Sequence, residues 1–279
     1  MLAPIIIFIL VMVLFPLLYT LFMSVHSWRM SAIAPPRFVG LDNFTANLKS
    51  GRFWNAVRNT MYYSSLSVMV EIVLGFLLAV FLHRKFLGKD IVKTLFLLPM
   101  VATPVAVSLV WRLMYEPTIG ILNFILKMLN LPTTDWLTNE KTAMTALVVI
   151  DIWSNTPMVV LILLAGLVSL PTEPYESALV DGAGKWQRFW WITFPLMLPT
   201  LFVAILLRTI DAIKAFDIIF ATTQGGPAFA TETLNIYAYI IAFNYLRMGT
   251  SSSLVVMFMA IIAVISLILL NIRRKLSVT

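Results

Sequence analysis

The sequence contains no cysteine and only two histidines among its 279 residues. Without cysteine, the chain cannot form a disulfide, an iron–sulfur cluster or a thiolate metal site. His26 and His83 lie far apart in the sequence and lack the short spacing of paired metal ligands. No serine-nucleophile motif, zinc-hydrolase motif or carboxylate–histidine cluster occurs either. We therefore expect no metal site and no catalytic residue in this chain.

A phosphate-binding loop is also absent. The pairs Gly88–Lys89 and Gly184–Lys185 are followed by Asp and Trp instead of Ser or Thr, and neither has the upstream glycine of a phosphate cradle. We therefore expect this chain to bind no cofactor. If the protein's activity consumes ATP, another chain must bind the nucleotide.

Charged residues are scarce, at 12% of the chain, whereas 60% is hydrophobic and the mean hydropathy is +0.93. A soluble domain has about 25% charged and about 45–50% apolar residues. This composition predicts a membrane protein that crosses the bilayer several times. The net charge of +7 is spread over the ends of apolar segments, which is typical of membrane orientation and not of a nucleic-acid-binding surface. We expect membrane lipid as a partner and no nucleic acid.

Six apolar segments are long enough to cross a bilayer as helices. They cover about residues 3–25, 60–82, 94–114, 142–170, 196–220 and 251–271. Six spans place both termini on one side, and the cation clusters Arg84/Lys85 and Arg273–Lys275, directly at span ends, indicate that this side is cytoplasmic. We predict an all-α, polytopic protein whose single transmembrane domain covers residues 1–279.

A polar cytoplasmic loop at 171–195 interrupts this hydrophobic sequence. Thr172 is a suitable N-cap for a short helix that ends near Val180. Gly182 and Gly184 would permit a sharp turn, and a second, aromatic-rich helix would run to Pro195. The pattern predicts a helix–turn–helix that projects from the membrane and is suited to another protein's groove.

This loop resembles the EAA loop of the permease subunits of binding-protein-dependent ABC importers. The family's pattern is Glu-Ala-Ala, three residues, Gly, nine residues, then Ile-x-Leu-Pro. The residues at these offsets, with the Asp and Ala that flank the glycine, are Glu176, Ser177, Ala178, Asp181, Gly182, Ala183, Ile192 and Pro195. Two positions depart from the pattern, Ser177 for Ala and Phe194 for Leu, and every spacing matches.

The resemblance implies the fold of an ABC type I importer permease in the bacterial inner membrane, without enzymatic activity of its own. It implies four kinds of partner: a second permease subunit, an ABC ATPase dimer that binds ATP and Mg, a periplasmic or lipoprotein solute-binding protein, and the solute. The loop would couple to the ATPase, and a bulky residue at Gly182 should uncouple transport without unfolding the spans.

The segment from Phe216 to Gly249 resembles the F-D…T-x-G-G-P…T-E-T-L run of carbohydrate-uptake permeases. The resemblance implies a sugar or polyol as solute. Gly225–Pro227 predicts a rigid outer turn, a candidate docking surface for the binding protein.

Charged and polar residues within spans are costly and functional by default. In the fifth span, Arg208, Asp211, Lys214 and Asp217 alternate in sign at a spacing of three, which allows pairing along one helix. In the fourth span, a polar cluster with a tryptophan precedes Pro157 and suits a sugar site. The predicted substrate pathway comprises Asp151, Trp153, Ser154, Asn155, Met158, Arg208 and Asp211.

Alternatives remain open from the residues alone. The charges of the fifth span would form a self-paired ladder, and Trp153 would be a packing residue beside a kink. A secondary transporter driven by an ion gradient would use Asp151, Asp211 and Asp217 as ion sites. Within the ABC importers, glycerol-3-phosphate is a further candidate, since Arg208 or Arg112 could pair with its phosphate.

Overall fold

The computed structural model describes residues 3–30 and 33–276, so residues 1–2, 31–32 and 277–279 of the predicted domain lie outside it. The helices are α1 (Ala3–Ser24), α2 (Asp42–Lys49), α3 (Gly51–His83), α4 (Lys89–Val101), α5 (Pro104–Met114), α6 (Ile121–Met128), α7 (Ala143–Val168), α8 (Glu173–Val180), α9 (Lys185–Arg188), α10 (Phe194–Ile213), α11 (Asp217–Thr222), α12 (Leu234–Tyr239) and α13 (Met248–Leu276). Two π-helical turns, Phe189–Thr193 and Ile240–Asn244, continue α9 and α12. Two short antiparallel strands, β1 (His26–Ser27) and β2 (Arg37–Phe38), pair His26 with Phe38.

Four helical runs within the described residues are long and apolar enough to cross a membrane. They are α3, α7, the run Lys185–Thr222 and α13 as far as Arg274. The pair α4–α5 passes the same test when taken together, and α1 is an apolar helix of 22 residues. The count of six spans remains a prediction.

The third predicted segment, 94–114, is not one continuous helix, because the chain bends by 97° between α4 and α5. Ala102 and Thr103 are both extended, with ψ of 141° at each. The residue before a proline is disfavoured in the helical region, and Pro104 starts the next helix at a position where its missing N–H costs nothing. Pro104 therefore accounts for the break.

Helix α7 lies at the centre of the bundle and packs against α3, α4 and α10. A Cβ at Gly75 of α3 would lie 2.5 Å from Cγ1 of Val159, which is fully buried in α7. The two helices therefore approach more closely than any larger residue at position 75 would allow. This contact holds the backbones of α3 and α7 at one distance and positions the polar residues between them.

Helix α2 fixes the first polar loop to the bundle through two buried amides. Asn43 donates to the carbonyls of Ser24 and His26, at 2.9 and 3.0 Å. Asn47 donates to Oγ of Ser253 at 2.8 Å. The loop thereby joins the end of α1 to α13, which lie side by side.

Candidate functional site

The polar loop at 171–195 forms an exposed helix, α8, close to the bounds that the sequence predicts. Glu173 and Glu176 lie in its first turn, where carboxylates interact favourably with the positive end of the helix dipole. The predicted capping role of Thr172 is wrong: its side chain makes no capping hydrogen bond with the described residues, and its backbone is already helical at φ −84°, ψ −26°.

Gly182 ends α8 in a left-handed conformation, with φ of +73°. Its N–H donates to the carbonyl of Leu179 at 3.1 Å, and the N–H of Ala183 donates to the carbonyl of Ala178 at 2.8 Å. This pair of bonds is the Schellman motif, in which glycine is favoured because it has no Cβ. No described heavy atom lies within 4 Å of a Cβ built at position 182, apart from those of its chain neighbours. Backbone conformation, not lack of space, therefore requires this glycine.

The second predicted glycine of the turn has another role. Gly184 has φ of −67°, which any residue adopts, and its N–H donates to Oε1 of Gln187 at 2.7 Å. The helix that follows is shorter than predicted, because α9 ends at Arg188 and passes through the π-helical turn into α10. Trp186, Trp190 and Trp191 are exposed on this stretch.

One hydrogen bond holds α8 against the start of the fifth predicted span. The hydroxyl of Tyr175 donates to Oγ1 of Thr193, in the π-helical turn, at 3.0 Å. Of the predicted coupling residues, Glu176, Ser177, Asp181, Gly182 and Pro195 are exposed, and Ala178, Ala183 and Ile192 are partly buried. The helix therefore presents an open surface while remaining attached to α10.

A buried ion cluster joins α3, α7 and α10. The guanidinium of Arg208 donates from Nε and Nη2 to the carboxylate of Glu71, at 2.5 and 2.8 Å, and from Nη2 to Oδ2 of Asp151, at 2.9 Å. The side chains of Arg208, Glu71 and Asp151 are 3%, 0% and 4% exposed. Asn155 donates to the other oxygen of Asp151 at 2.8 Å. We call these three charged residues the α3–α7–α10 ion cluster.

This cluster corrects the predicted pairing along the fifth span. Arg208 pairs across helices instead of with Asp211, and only Asp211 and Lys214 form a pair at the predicted spacing, at 3.5 Å and half-exposed. The predicted continuous span 196–220 is also interrupted, because α10 ends at Ile213 and α11 begins at Asp217. Glu71 is an intramembrane charge that the sequence shows but to which it assigns no partner.

The structure separates the predicted pathway residues into two groups. Asp151 and Arg208 are enclosed in the ion cluster, and Asn155 is bonded to Asp151. Trp153 is 46% exposed and lies edge-on to Trp111, with 5.8 Å between ring centroids. The remaining members are Ser154 and Met158, which are partly buried, and Asp211, which is exposed. Substrate contact at these positions stays a prediction.

The loop 223–233 is anchored to the first half of α3, a contact that the sequence did not indicate. Arg52 makes a bidentate ion pair with the fully buried Glu232, at 2.7 and 2.6 Å. The Arg52 guanidinium also lies 4.1 Å from the ring centroid of Phe229. Asn55 and Asn59 both donate to the carbonyl of Phe229 at 3.0 Å. The loop is therefore held in one position on the bundle.

Replacing Asn59 with alanine is expected to loosen this loop. Asn59 is buried and also donates to the carbonyl of Glu232 at 3.1 Å; loss of a buried donor that leaves its acceptors unsatisfied costs about 1–3 kcal/mol. Hydrogen exchange of the amides in 223–233 should be faster in N59A than in N55A, since Asn55 is less buried and makes one bond. Equal exchange rates in both variants would contradict the anchoring role.

Within 3–30 and 33–276, no three histidine or carboxylate side chains come together as metal ligands. The pairing of Glu71 and Asp151 with Arg208 is typical of charge neutralisation and not of metal binding.

Comparison with known proteins agrees with this architecture. The family described as "Binding-protein-dependent transport system inner membrane component" matches residues 71–278. The trehalose/maltose transport system permease protein MalF of Thermococcus litoralis is 37% identical over 249 residues, which are 89% of this chain and 83% of that protein. The trehalose transport system permease protein SugA of Mycobacterium tuberculosis is 32% identical over 257 residues, 92% of this chain and 82% of that protein.

A solved structure shares the fold. A chain of the bacterial alginate ABC transporter, in complex with an alginate pentasaccharide-bound periplasmic protein, superimposes with a TM-score of 0.87 at 24% identity, covering 99% of this chain and 93% of that one. The predicted all-α ABC type I permease fold is confirmed. This chain belongs to the family of binding-protein-dependent transport system inner membrane components, the multi-pass membrane permeases of ABC importers.

Proposed function

We propose that this chain is one of two permease subunits of an ATP-driven importer that carries a sugar or polyol across the bacterial inner membrane. The observation that carries the proposal is α8, an exposed helix that is ended by the Gly182 turn and attached to α10 through Tyr175. The names of the relatives, which concern trehalose and maltose, support the carbohydrate class.

In this proposal, α8 inserts into a groove on an ABC ATPase dimer, which binds ATP and Mg while this chain binds no cofactor. The N-terminus, α8 and the tail then lie in the cytoplasm. Movement of α8 would reach α10 through the Tyr175–Thr193 bond, and α10 is joined to α3 and α7 by the ion cluster. Closure of the ATPase would thus change the tilt of three spans together.

The solute would arrive on a periplasmic or lipoprotein binding protein that docks on the anchored loop 223–233. The half-exposed ring of Trp153 would then stack on the apolar face of a sugar, with Ser154 and Met158 beside it. Asp151 and Arg208 would hold the α7 backbone in place and not contact the solute. A second permease subunit would complete the pathway.

The alternative functions lose support from the pairing of their key residues. Of the three carboxylates that an ion-driven transporter would use, Asp151 is paired with Arg208 and Asp211 with Lys214. For glycerol-3-phosphate, the guanidinium of Arg208 is already held by two carboxylates, which leaves the exposed Arg112 as the phosphate ligand.

Co-purification of the tagged chain from its native membrane tests the proposal. We expect mass spectrometry to detect a second permease and an ATPase, and we expect ATPase activity in lipid to rise when a sugar-loaded binding protein is added. A chain that purifies without an ATPase, or transport that follows the proton gradient instead of ATP, would overturn it.

A further inference from the structure

A large groove opens beside α8, between the second half of α3, the end of α7 and the run from α9 into α10. Its volume is about 1480 Å³. Its wall is mostly aliphatic and aromatic, with Phe76, Leu77, Leu198 and Phe202 among the lining residues. A carbohydrate in this groove would leave hydroxyl groups unpaired against apolar carbon, which is unfavourable.

Three cations lie at the end of the groove nearest α8. Arg84 caps the end of α3, and Lys185 and Arg188 begin and end α9. Among the described residues that line the groove there is no carboxylate. The groove therefore combines an apolar wall with a positively charged rim.

The guanidinium of Arg188 is incompletely satisfied. Its Nε is buried and has no hydrogen-bond partner among the described residues. A buried donor of this kind is rare in folded proteins, and its presence indicates a missing acceptor. Nε has almost no accessible surface, so an anionic oxygen in the groove would reach it only after the Arg188 side chain turns outward.

The dimensions of the groove match one leaflet of a bilayer. Its α3 wall runs from Ile72 to Arg84, which is about 18 Å at ~1.5 Å per residue, whereas half of the hydrocarbon core is about 15 Å. Trp186 and Trp190 lie at the charged end, and tryptophan is enriched at the membrane–water interface. The apolar part of the groove would therefore lie in the hydrocarbon core, and its charged rim would lie at the membrane surface.

We propose that this groove is a binding site for an acidic phospholipid, whose phosphate contacts Arg84, Lys185 and Arg188 and whose acyl chains cover the apolar wall. Basic pockets between transmembrane helices are a recurrent site for anionic headgroups. Free phosphate would leave the apolar wall uncovered, so the amphiphile is the better match. Placement in the cytoplasmic leaflet rests on the proposed orientation, whereas the site itself requires only that the chain lies in a membrane.

The lipid would also influence α8. Tyr175 and Thr193, whose hydrogen bond attaches α8 to the bundle, both line the groove. A lipid in the groove would pack against this attachment and stabilise one position of the coupling helix. Acidic lipid would therefore regulate how tightly α8 is attached to the membrane-spanning helices.

Native mass spectrometry tests the site on the chain purified together with its associated subunits and stripped of lipid. The probes are phosphatidylglycerol, phosphatidylcholine of the same acyl composition, and inorganic phosphate. We expect phosphatidylglycerol to bind preferentially, and Arg188→Gln to weaken its binding about five-fold, since each cation near an anionic lipid surface contributes about that factor. Lys185→Gln combined with Arg188→Gln should weaken binding about 25-fold on the same basis.

Lys85→Gln is the matched control, because Lys85 is an exposed cation beside Arg84 that does not line the groove. Size-exclusion profiles of all variants, with Arg188→Lys as the charge-preserving variant, separate loss of the site from loss of folding. Equal binding of the two lipids, equal effects of R188Q and K85Q, or competition by millimolar phosphate would overturn the proposal. The binding measurement needs neither solute nor ATP. A negative result would therefore overturn the lipid site without bearing on the proposed function.

Discussion

Replacing Arg208 with methionine is expected to destabilise the protein by about 3–5 kcal/mol, because two buried carboxylates lose their only cationic partner in the ion cluster. Thermal unfolding in detergent measures this change. The readout is the loss of the monodisperse peak in size-exclusion chromatography as the temperature rises. R208M should unfold at a markedly lower temperature than the unmodified protein.

The matched control lies on the same segment of the chain. Lys214 pairs with Asp211, but their side chains are 51% and 48% exposed. Because exposed pairs contribute about 0–1 kcal/mol, Lys214→Met should leave the unfolding temperature almost unchanged. Adding Glu71→Gln and Asp151→Asn to the Arg208 variant removes the buried charges and should recover much of the lost stability. A fully stable R208M protein would show that the cluster does not join the three helices.

Replacing Gly182 with leucine is expected to abolish transport while the spans remain folded. A side chain at φ of +73° costs about 1–2 kcal/mol, and this strain is confined to the exposed turn. Transport by the reconstituted importer should fall at least ten-fold, with the unfolding temperature within a few degrees of the unmodified value. Transport that is retained in G182L would refute the coupling role of the turn.

Two further variants separate strain from contact with a partner. Gly182→Asn should retain transport better than Gly182→Ala, since asparagine tolerates the left-handed conformation. Open space surrounds Gly182 in this chain, so any loss in G182L beyond that in G182A reports a surface supplied by another subunit. Gly184→Ala is the control, because position 184 has ordinary φ and a Cβ there would lie 3.5 Å from Gln187 Oε1, an ordinary contact.

Local sequence patterns predicted the parts of the site that depend on neighbouring residues. The end of α8 near Val180 and the turn at Gly182 follow from the glycine that ends the helix, and the structure has both, although Thr172 does not cap the start. The pair Asp211–Lys214 follows from a spacing of three along one helix. These features need only the geometry of a single helix.

The ion cluster could not be predicted in the same way. Arg208 lies 137 residues from Glu71 and 57 from Asp151, so its partners depend on how three spans are arranged. The local spacing of charges favoured Asp211 instead, and that interpretation was wrong because burial selects the pair that neutralises charge inside the bundle. The contact of Arg52 with Glu232 could not be predicted for the same reason, because the two residues lie 180 positions apart in the sequence.

The sequence contains a signal for the break in the third segment. Pro104 carried the signal, since the residue before a proline avoids the helical region, yet the apolar content of 94–114 favoured one continuous span. The π-helical turn at Phe189–Thr193 has no comparable signal, since its residues would also suit an α-helix. Composition predicts membrane burial more reliably than it predicts the continuity of a helix.

The ion cluster attaches α3, α7 and α10 to one another at a single level of the bundle. Arg208 lies 15 residues beyond Thr193, about 22 Å along the helix at ~1.5 Å per residue. If α8 transmits force from an ATPase as proposed, a displacement of the α8 end of α10 would tilt α3, α7 and α10 together about the ion cluster. In the proposed function, a joint tilt of these helices would therefore carry their ends on the two sides of the membrane in opposite directions.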